Sequence, residues 1–377
     1  MYYIQLVPDW RAYEKVVLAL PNQIEDNGYR EDIIVDYAGF LKKKKVNVGV
    51  LYNEHNGTNT ISKLQELGVE LHSLEASDIW IRDWAPLLAT EGEQLIGLKF
   101  QYANEYAYNP SLDNDAGRRL CGVFGLDQRE FGLVWDMGNF TTNGKGSIIV
   151  TDQVLQHNGM VRAADLKDYL IHTVGCAPSI QVFAIHVTDL YKEIWDLILG
   201  RPDEAICHID GIMRFVSPDE LVYSDIRVNN RLTSKALSYF PLNWDPHRVQ
   251  RYRSIYQEIT ARITKLSRQL QQQQIATRCY PIAEHLSRPD EITCGETISD
   301  SGDYINFLRV EDTLFLPKYS SMGRPSKAKY NFIQTFYLED VEPGNKFVDR
   351  LCVLGGVLNC ASWVLYKTTN NNDLHGR

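Results

Sequence analysis

Four short stretches set reactive or ionisable side chains beside strand-like segments, and each admits a chemical reading and a plainer one. Cys360 closes the run Gly355-Gly356-Val357-Leu358-Asn359-Cys360. Paired glycines allow a sharp turn or a close backbone approach, the setting a nucleophilic thiol needs beside hydrogen-bond donors or positive charge. A buried structural cysteine after a turn is the plainer reading. His208 and Asp210 lie two apart in Cys207-His208-Ile209-Asp210-Gly211. In a strand they would project from one face, where the carboxylate would orient the imidazole and raise its pKa. No second His-x-Asp and no His-x-x-x-His accompanies them, so metal ligation is the poorer reading. Asp78-Ile79-Trp80-Ile81-Arg82-Asp83-Trp84 carries charges that are costly to bury unpaired. A salt bridge from Arg82 to Asp78 or Asp83 accounts for it as well as a function does. Trp135-Asp136-Met137-Gly138-Asn139-Phe140 reads as a strand end with a carboxylate, and Asn143-Gly144-Lys145-Gly146 as a hairpin turn. These glycines match neither a phosphate-binding nor a dinucleotide loop.

Elements able to position such residues recur along the chain. Strand-length apolar runs are predicted at Val16 to Leu20, Val46 to Leu51, Ser147 to Val150, Ile206 to Val216, Leu221 to Ser224, Asp303 to Leu308, Thr313 to Leu316 and Phe347 to Leu354. Helical patterns occupy Arg30 to Leu41, Thr60 to Leu67 and Ala163 to Thr173. This alternation predicts an α/β protein. The longest helix starts after Asp245-Pro246, a cap followed by a favourable first position. Its stripe Val249, Tyr252, Ile255, Ile259, Ile263, Leu266, Leu270 suits an outer helix covering a sheet. No linker interrupts the chain, so one domain over 1–367 is expected, with 368–377 a frayed tail. Identity-level repeats are not visible; any internal symmetry must be structural.

Composition narrows the classes. A net charge of −9 offers no basic footprint for nucleic acid or an anionic membrane. No stretch approaches the ~18 apolar residues of a membrane helix, and the N-terminus lacks the features of a signal peptide. Seven cysteines, all singly placed, argue against a disulfide framework or structural zinc. Reduced thiols in a cytoplasm are the expectation.

Taken in order, the four stretches resemble the agmatine deiminase and bacterial peptidylarginine deiminase branch of the guanidino-group modifying superfamily. The branch pattern runs Trp-x-Arg-Asp-x-Gly-Pro, Glu-Gly-Gly-Asn, His-x-Asp, then Gly-Gly-x-x-His-Cys. The chain carries Trp80-x-Arg82-Asp83-x-Ala85-Pro86, Asp136-Met137-Gly138-Asn139, His208-x-Asp210 and Gly355-Gly356-x-x-Asn359-Cys360. Pro8-Asp9-Trp10 and Asp303-Tyr304-Ile305-Asn306-Phe307 look like further landmarks. The resemblance implies the pentein α/β-propeller, with ββαβ-type units around a pseudo-fivefold axis and a central site. It implies that Cys360 attacks a guanidinium carbon and that His208 serves as acid and then base. Asp83 and Asp210 would grip the cation, and Asp136 would hold His208 or a third edge. Trp80, Arg82, Trp84, Asn139, Asn306 and Gly356 would contact substrate.

By the same resemblance the partner is a small cationic guanidino compound and no metal or organic cofactor is required. The reaction would be deimination, foremost agmatine to N-carbamoylputrescine and ammonia. Peptidyl-arginine, free or methylated arginine, and amidinotransfer share the residues, as does a non-catalytic guanidinium-binding scaffold. A homo-oligomer is compatible with the sequence. Asp136 for Glu, Met137 for Gly, Asn143 for Asp, Asn359 for His and Ala85 for Gly mark a divergent member.

Overall fold

In the computed structural model, which describes residues 2–22, 29–102, 109–205, 207–225, 246–281, 305–317, 337–340, 347–353 and 356–367, strands gather into five separate sheets. One plan recurs in all five. An antiparallel pair is followed by a third strand parallel to the second, and a parallel neighbour needs a crossover, ordinarily a helix.

The plan is plainest where β5 (Leu87–Glu91) pairs antiparallel with β6 (Gln94–Gln101). Helix α4 (Pro110–Val123) then returns the chain to β7 (Asp127–Val134), parallel to β6, and β1 (Ile4–Leu6) adds to the edge of β5. β8 (Thr141–Thr142) and β9 (Ser147–Thr151) form the next hairpin, joined by the Asn143–Gly146 turn read from the sequence. Helices α5 (Asp152–His157) and α6 (Ala163–Tyr169) lead to β10 (Gln181–Ile185), parallel to β9. β11 (Met213–Ser217), β12 (Glu220–Asp225) and β13 (Ala276–Pro281) repeat the plan, as do β14 (Leu308–Val310), β15 (Thr313–Leu316) and β16 (Tyr337–Asp340). The remaining unit joins distant parts of the chain. β17 (Trp363–Tyr366) lies antiparallel to β2 (Tyr13–Ala19), and α1 (Tyr29–Lys43) leads on to β3 (Val48–Tyr52). Helix α2 (Thr58–Glu66) extends this sheet to β4 (Glu70–Ser73). What repeats is strand order and direction, in a chain without visible sequence repeats.

Helix α7 (Thr188–Leu199) and the long helix α8 (Pro246–Gln272) lie outside β10 and β13. Ile255, Ile259, Ile263, Leu266 and Leu270 of α8 are buried, one apolar stripe set against the sheets. Its expected cap Asp245 and the tail 368–377 lie outside the described residues. Among the described residues no helix is long and apolar enough to cross a membrane.

Three strand expectations are corrected. In the Phe347 to Leu354 run, Phe347–Val353 is a helix, α9, and Leu354 lies outside the described residues. Its buried Phe347, Val348 and Leu351 follow helical spacing, and Phe347 stacks on Tyr37 of α1 at 5.3 Å. Ile206 to Val216 becomes strand only from Met213, because Ile209–Gly211 forms a 3₁₀ turn closed by Ile212 N–H donating to Ile209 O at 2.9 Å. In the Asp303 to Leu308 run the strand starts at Leu308, Ile305-Asn306 being a bend; Asp303 and Tyr304 lie outside the described residues.

Candidate active site

Each of the five units delivers a polar residue from one equivalent place, the turn just before its first strand. Asp83 precedes β5, on the single-turn helix α3 (Ile81–Trp84). Asp136 precedes β8 and caps the 3₁₀ turn Met137–Asn139. His208 and Asp210 precede β11, Asn306 precedes β14, and Cys360 precedes β17. The convergence of the five turns makes the site.

Helix α3 is held at both ends. Arg82 N–H donates to Cys360 O at 3.1 Å and Arg82 Nε to Asn359 O at 3.3 Å. At the other end the buried Lys99 Nζ donates to Trp84 O at 3.2 Å. Arg82 thus braces the turn that carries Cys360, while Asp78 has Arg30 at 3.5 Å. Trp84 is fully buried in the core. Trp80 lies over Gly356, where a Cβ would stand 2.4 Å from the ring.

The Asp136 carboxylate, one methylene shorter than the family's Glu, reaches His208. Its Oδ1 accepts from Asn139 N–H at 2.8 Å and lies 3.2 Å from His208 Nε2. Asn139 spends its amide on the scaffold. Its Nδ2 donates to Thr151 Oγ1 at 2.7 Å, and its Oδ1 accepts from Thr151 N–H at 2.8 Å. Thr151 Oγ1 in turn donates to Cys207 O at 2.9 Å, fixing the residue before His208. On the other edge of the imidazole, Asp83 Oδ1 lies 3.6 Å from Nδ1. Gly138 makes this sandwich possible: a Cβ there would come within 2.4 Å of His208 Nδ1 and 2.9 Å of Asp83 Oδ1.

The Cys360 thiol, 8% exposed, faces Asp210 Oδ2 at 4.0 Å and receives Asn306 Nδ2 at 3.0 Å. Asn359, where the family has His, donates from Nδ2 to Asp210 Oδ2 at 2.7 Å and holds that carboxylate beside the sulfur. Three buried acceptors at the site, Asp83 Oδ1, Asp210 Oδ1 and Asn359 Oδ1, have no hydrogen-bond partner among the described residues. Such groups are costly to leave unpaired.

Electrostatics follow from this crowding. Burial raises Asp83 well above the carboxylate range, with Asp136, Asp210 and Asp78 adding to it against the pull of His208. Burial also raises Asp210, against the pull of His208, Arg214 and Arg82. For His208, burial opposes the charge, but Asp136, Asp83 and Asp210 outweigh it and raise the pKa above 6.5. Burial pushes the Cys360 thiol well above 9.0, and the charges of Asp210 and Asp83 push it further. Among the described cysteines none is in a disulfide, and burial raises Cys121 to about 12 and Cys176 to about 11.

Asp83, Asp136 and His208 offer ligand atoms within 4.8 Å of one another, a set able to hold a metal ion. Both imidazole nitrogens already have a carboxylate neighbour, however, which suits a protonated ring as well as a ligand.

Behind the carboxylates lies a basic layer. Arg214 pairs with Asp9 and donates to Ile305 O and Phe307 O, and Arg309 donates to Val216 O. Burial opposes the Asp9 charge, but Arg214, Arg82 and Arg309 hold its pKa below 3.8. A depressed carboxylate contributes stability above its unfolded pKa of ~3.9, lost as pH falls through the folded value. Asp9→Asn is therefore expected to lower the thermal midpoint at neutral pH, with the gap to wild type closing toward pH 3. A gap that stays constant with pH would refute this.

The residues Gly138, Asn359 and Lys99 were not singled out for these positions from sequence. Lys99 carried a signal, a lone charge within the apolar run Leu95–Phe100. For Gly138 and Asn359 the signal lay only in their places beside Asp136 and Cys360.

Residues 5–365 match the Porphyromonas-type peptidyl-arginine deiminase family. The chain belongs to that family. It is 24% identical over 233 residues to a Vibrio parahaemolyticus serotype O3:K6 protein named "Putative agmatine deiminase", a match spanning 57% of this chain and 59% of that protein. Agmatine deiminase of C. jejuni superposes with a TM-score of 0.67 at 17% identity, with 97% of each chain covered. Agmatine deiminase of Enterococcus faecalis does so at 0.66 and 13%, covering 97% of this chain and 96% of its own. At these identities the solved structures speak to the fold.

Proposed function

We propose that this protein hydrolyses a guanidino compound to a ureido product and ammonia, with agmatine the foremost substrate, and that its five units form a pentein propeller around the site. The observation that carries the reading is the set of buried, unpartnered acceptors, Asp83 Oδ1 and Asp210 Oδ1, beside a thiol and a doubly flanked imidazole. A guanidinium is a planar cation with several N–H donors. It supplies the missing hydrogen bonds and cancels the charge that keeps Cys360 protonated.

In this reading the Cys360 thiolate bonds to the guanidinium carbon and forms a tetrahedral adduct. His208 gives its proton to one nitrogen, the C–N bond breaks, and ammonia departs from a covalent thiouronium. Water then adds as His208 takes one of its protons, and the C–S bond breaks to return the thiolate while the added oxygen loses its second proton to solvent, giving the ureido product. Arg82, through Nε bonded to Asn359 O, Asn139, through its amide bonded to Thr151, and Trp84, buried in the core, act in the support of the site. The relatives named as agmatine deiminases support the substrate; a peptidyl, free or methylated arginine is decided by assay.

Ammonia and ureido product should be measured with purified protein against agmatine, arginine, an arginine peptide and methylated arginines. Absence of ammonia from all of them would overturn the proposal and leave a guanidinium-binding scaffold. A reagent comparison reads the electrostatics directly. At pH 7.5 cationic 2-chloroacetamidine should alkylate Cys360 at least ~10-fold faster than neutral 2-chloroacetamide, because only the cation offsets the neighbouring carboxylates. Cys121 and Cys176 should show no such preference. Equal selectivity at all three would contradict the site described.

A further inference from the structure

The Asn306 side chain is oriented by its surroundings, and the orientation has a chemical consequence. Its Oδ1 accepts from two backbone donors, Asn359 N–H at 3.0 Å and Cys360 N–H at 3.3 Å. Turning the amide over would set its NH₂ against both donors, so the atom facing sulfur must be the nitrogen. That nitrogen is 3.0 Å from Cys360 Sγ. The residue is 3% exposed and comes from the turn before β14, the counterpart of the turns that carry Asp83, Asp136 and Asp210. Those three turns deliver negative charge; this one delivers an N–H donor aimed at the nucleophile.

We propose that Asn306 is a catalytic residue that holds the Cys360 sulfur as an anion, its N–H donating to the thiolate while its carbonyl fixes the nucleophile turn. The inference rests on the reading of Cys360 as nucleophile. A donor at hydrogen-bond distance favours the charged acceptor over the neutral one, since hydrogen bonds to an ionised partner are roughly twice as strong. The same bond is used twice. It favours the thiolate that forms the C–S bond, and it receives the sulfur again when that bond breaks and the electron pair returns to it. Asn306 is thereby assigned to the protein's own nucleophile and not to the substrate.

Asn306→Asp separates the two tasks. A carboxylate keeps an acceptor for the Asn359 and Cys360 N–H groups but replaces the donor facing sulfur with negative charge. Cys360 alkylation by iodoacetamide, quantified by peptide mass spectrometry from pH 6 to 10.5 on the whole protein without substrate, reads the thiolate fraction. The rise of the Asn306→Asp profile is expected to move at least about one pH unit to the alkaline side, a ~10-fold slower reaction at pH 8. Should Asn306→Asp fail to give a cooperative melt, Asn306→Ser, too short to reach sulfur, takes its place with the same expectation.

A profile superimposable on wild type overturns the proposal, as does a rate raised at every pH, which would report an opened turn. The outcome is separable from that of the function. A displaced profile in a protein that turns over no guanidino compound keeps Asn306 and removes the substrate reading. Turnover with an unmoved profile does the reverse.

Discussion

Gly138→Ala should reduce ammonia release by ~10²-fold or more, the scale of loss that follows a 1 Å misplacement of reacting groups. The cause is a single methyl. Gly138 is not in the left-handed region, so its backbone accepts alanine without strain. Space is what it lacks: the new Cβ would meet His208 Nδ1 at 2.4 Å, His208 Cε1 at 3.0 Å and Asp83 Oδ1 at 2.9 Å. Either the imidazole leaves its place between Asp83 and Asp136, or the 3₁₀ turn moves and takes Asp136 with it. Both outcomes uncouple the proton donor from the carbon that Cys360 attacks. The thermal midpoint and circular dichroism should stay near wild type, because the collision is confined to the site. Wild-type activity in Gly138→Ala would mean that the His208 sandwich is not used in turnover.

Cys360→Ala should do more, lowering turnover by at least ~10⁴-fold, since removing the nucleophile of a covalent mechanism leaves only binding and electrostatics. The acid-quenched wild type should carry a substrate-derived mass on the peptide containing Cys360, and the variant none. Guanidino ligand should still bind the variant, because Asp83, Asp136, Asp210 and His208 remain, and should raise its thermal midpoint by mass action. Turnover within ~10-fold of wild type would place the chemistry on another residue. Loss of both turnover and ligand-dependent stabilisation would show that the variant had lost the pocket as well.

Much of the site was legible in the sequence because its residues lie in short stretches that repeat the family's order. Cys360, His208, Asp210, Asp83 and Asp136 are indeed brought together. One pair meets for a reason other than strand alternation: His208 and Asp210 share a site because a 3₁₀ turn carries them there. Runs such as Ile206 to Val216 and Phe347 to Leu354 are rich in apolar residues, and apolar content alone does not separate strand from helix or turn. Helix α9 was decided by the aromatic surface of α1, a contact distant in sequence. Asn359 was read as a departure from the family. The structure gives it the hydrogen bond to Asp210, which no local pattern encodes. Likewise Arg82 and Asn139 resemble groups for a ligand in the sequence, which does not tell a polar side chain aimed at substrate from one bonded to a neighbouring carbonyl or hydroxyl.

The pairing of β17 with β2 has a consequence for how the protein comes into being. Cys360 stands just ahead of the strand that docks beside β2, and its turn is tied to α1 by Tyr37 Oη donating to Leu358 O across 321 residues. A chain emerging from the ribosome can assemble the turns bearing Asp83, Asp136 and His208 one after another, but the Cys360 turn joins them only when β17 arrives. Contacts of such separation form late, because the entropy of closing the loop must be met before they return any stability. The site is therefore completed last, at the moment the two distant strands have met.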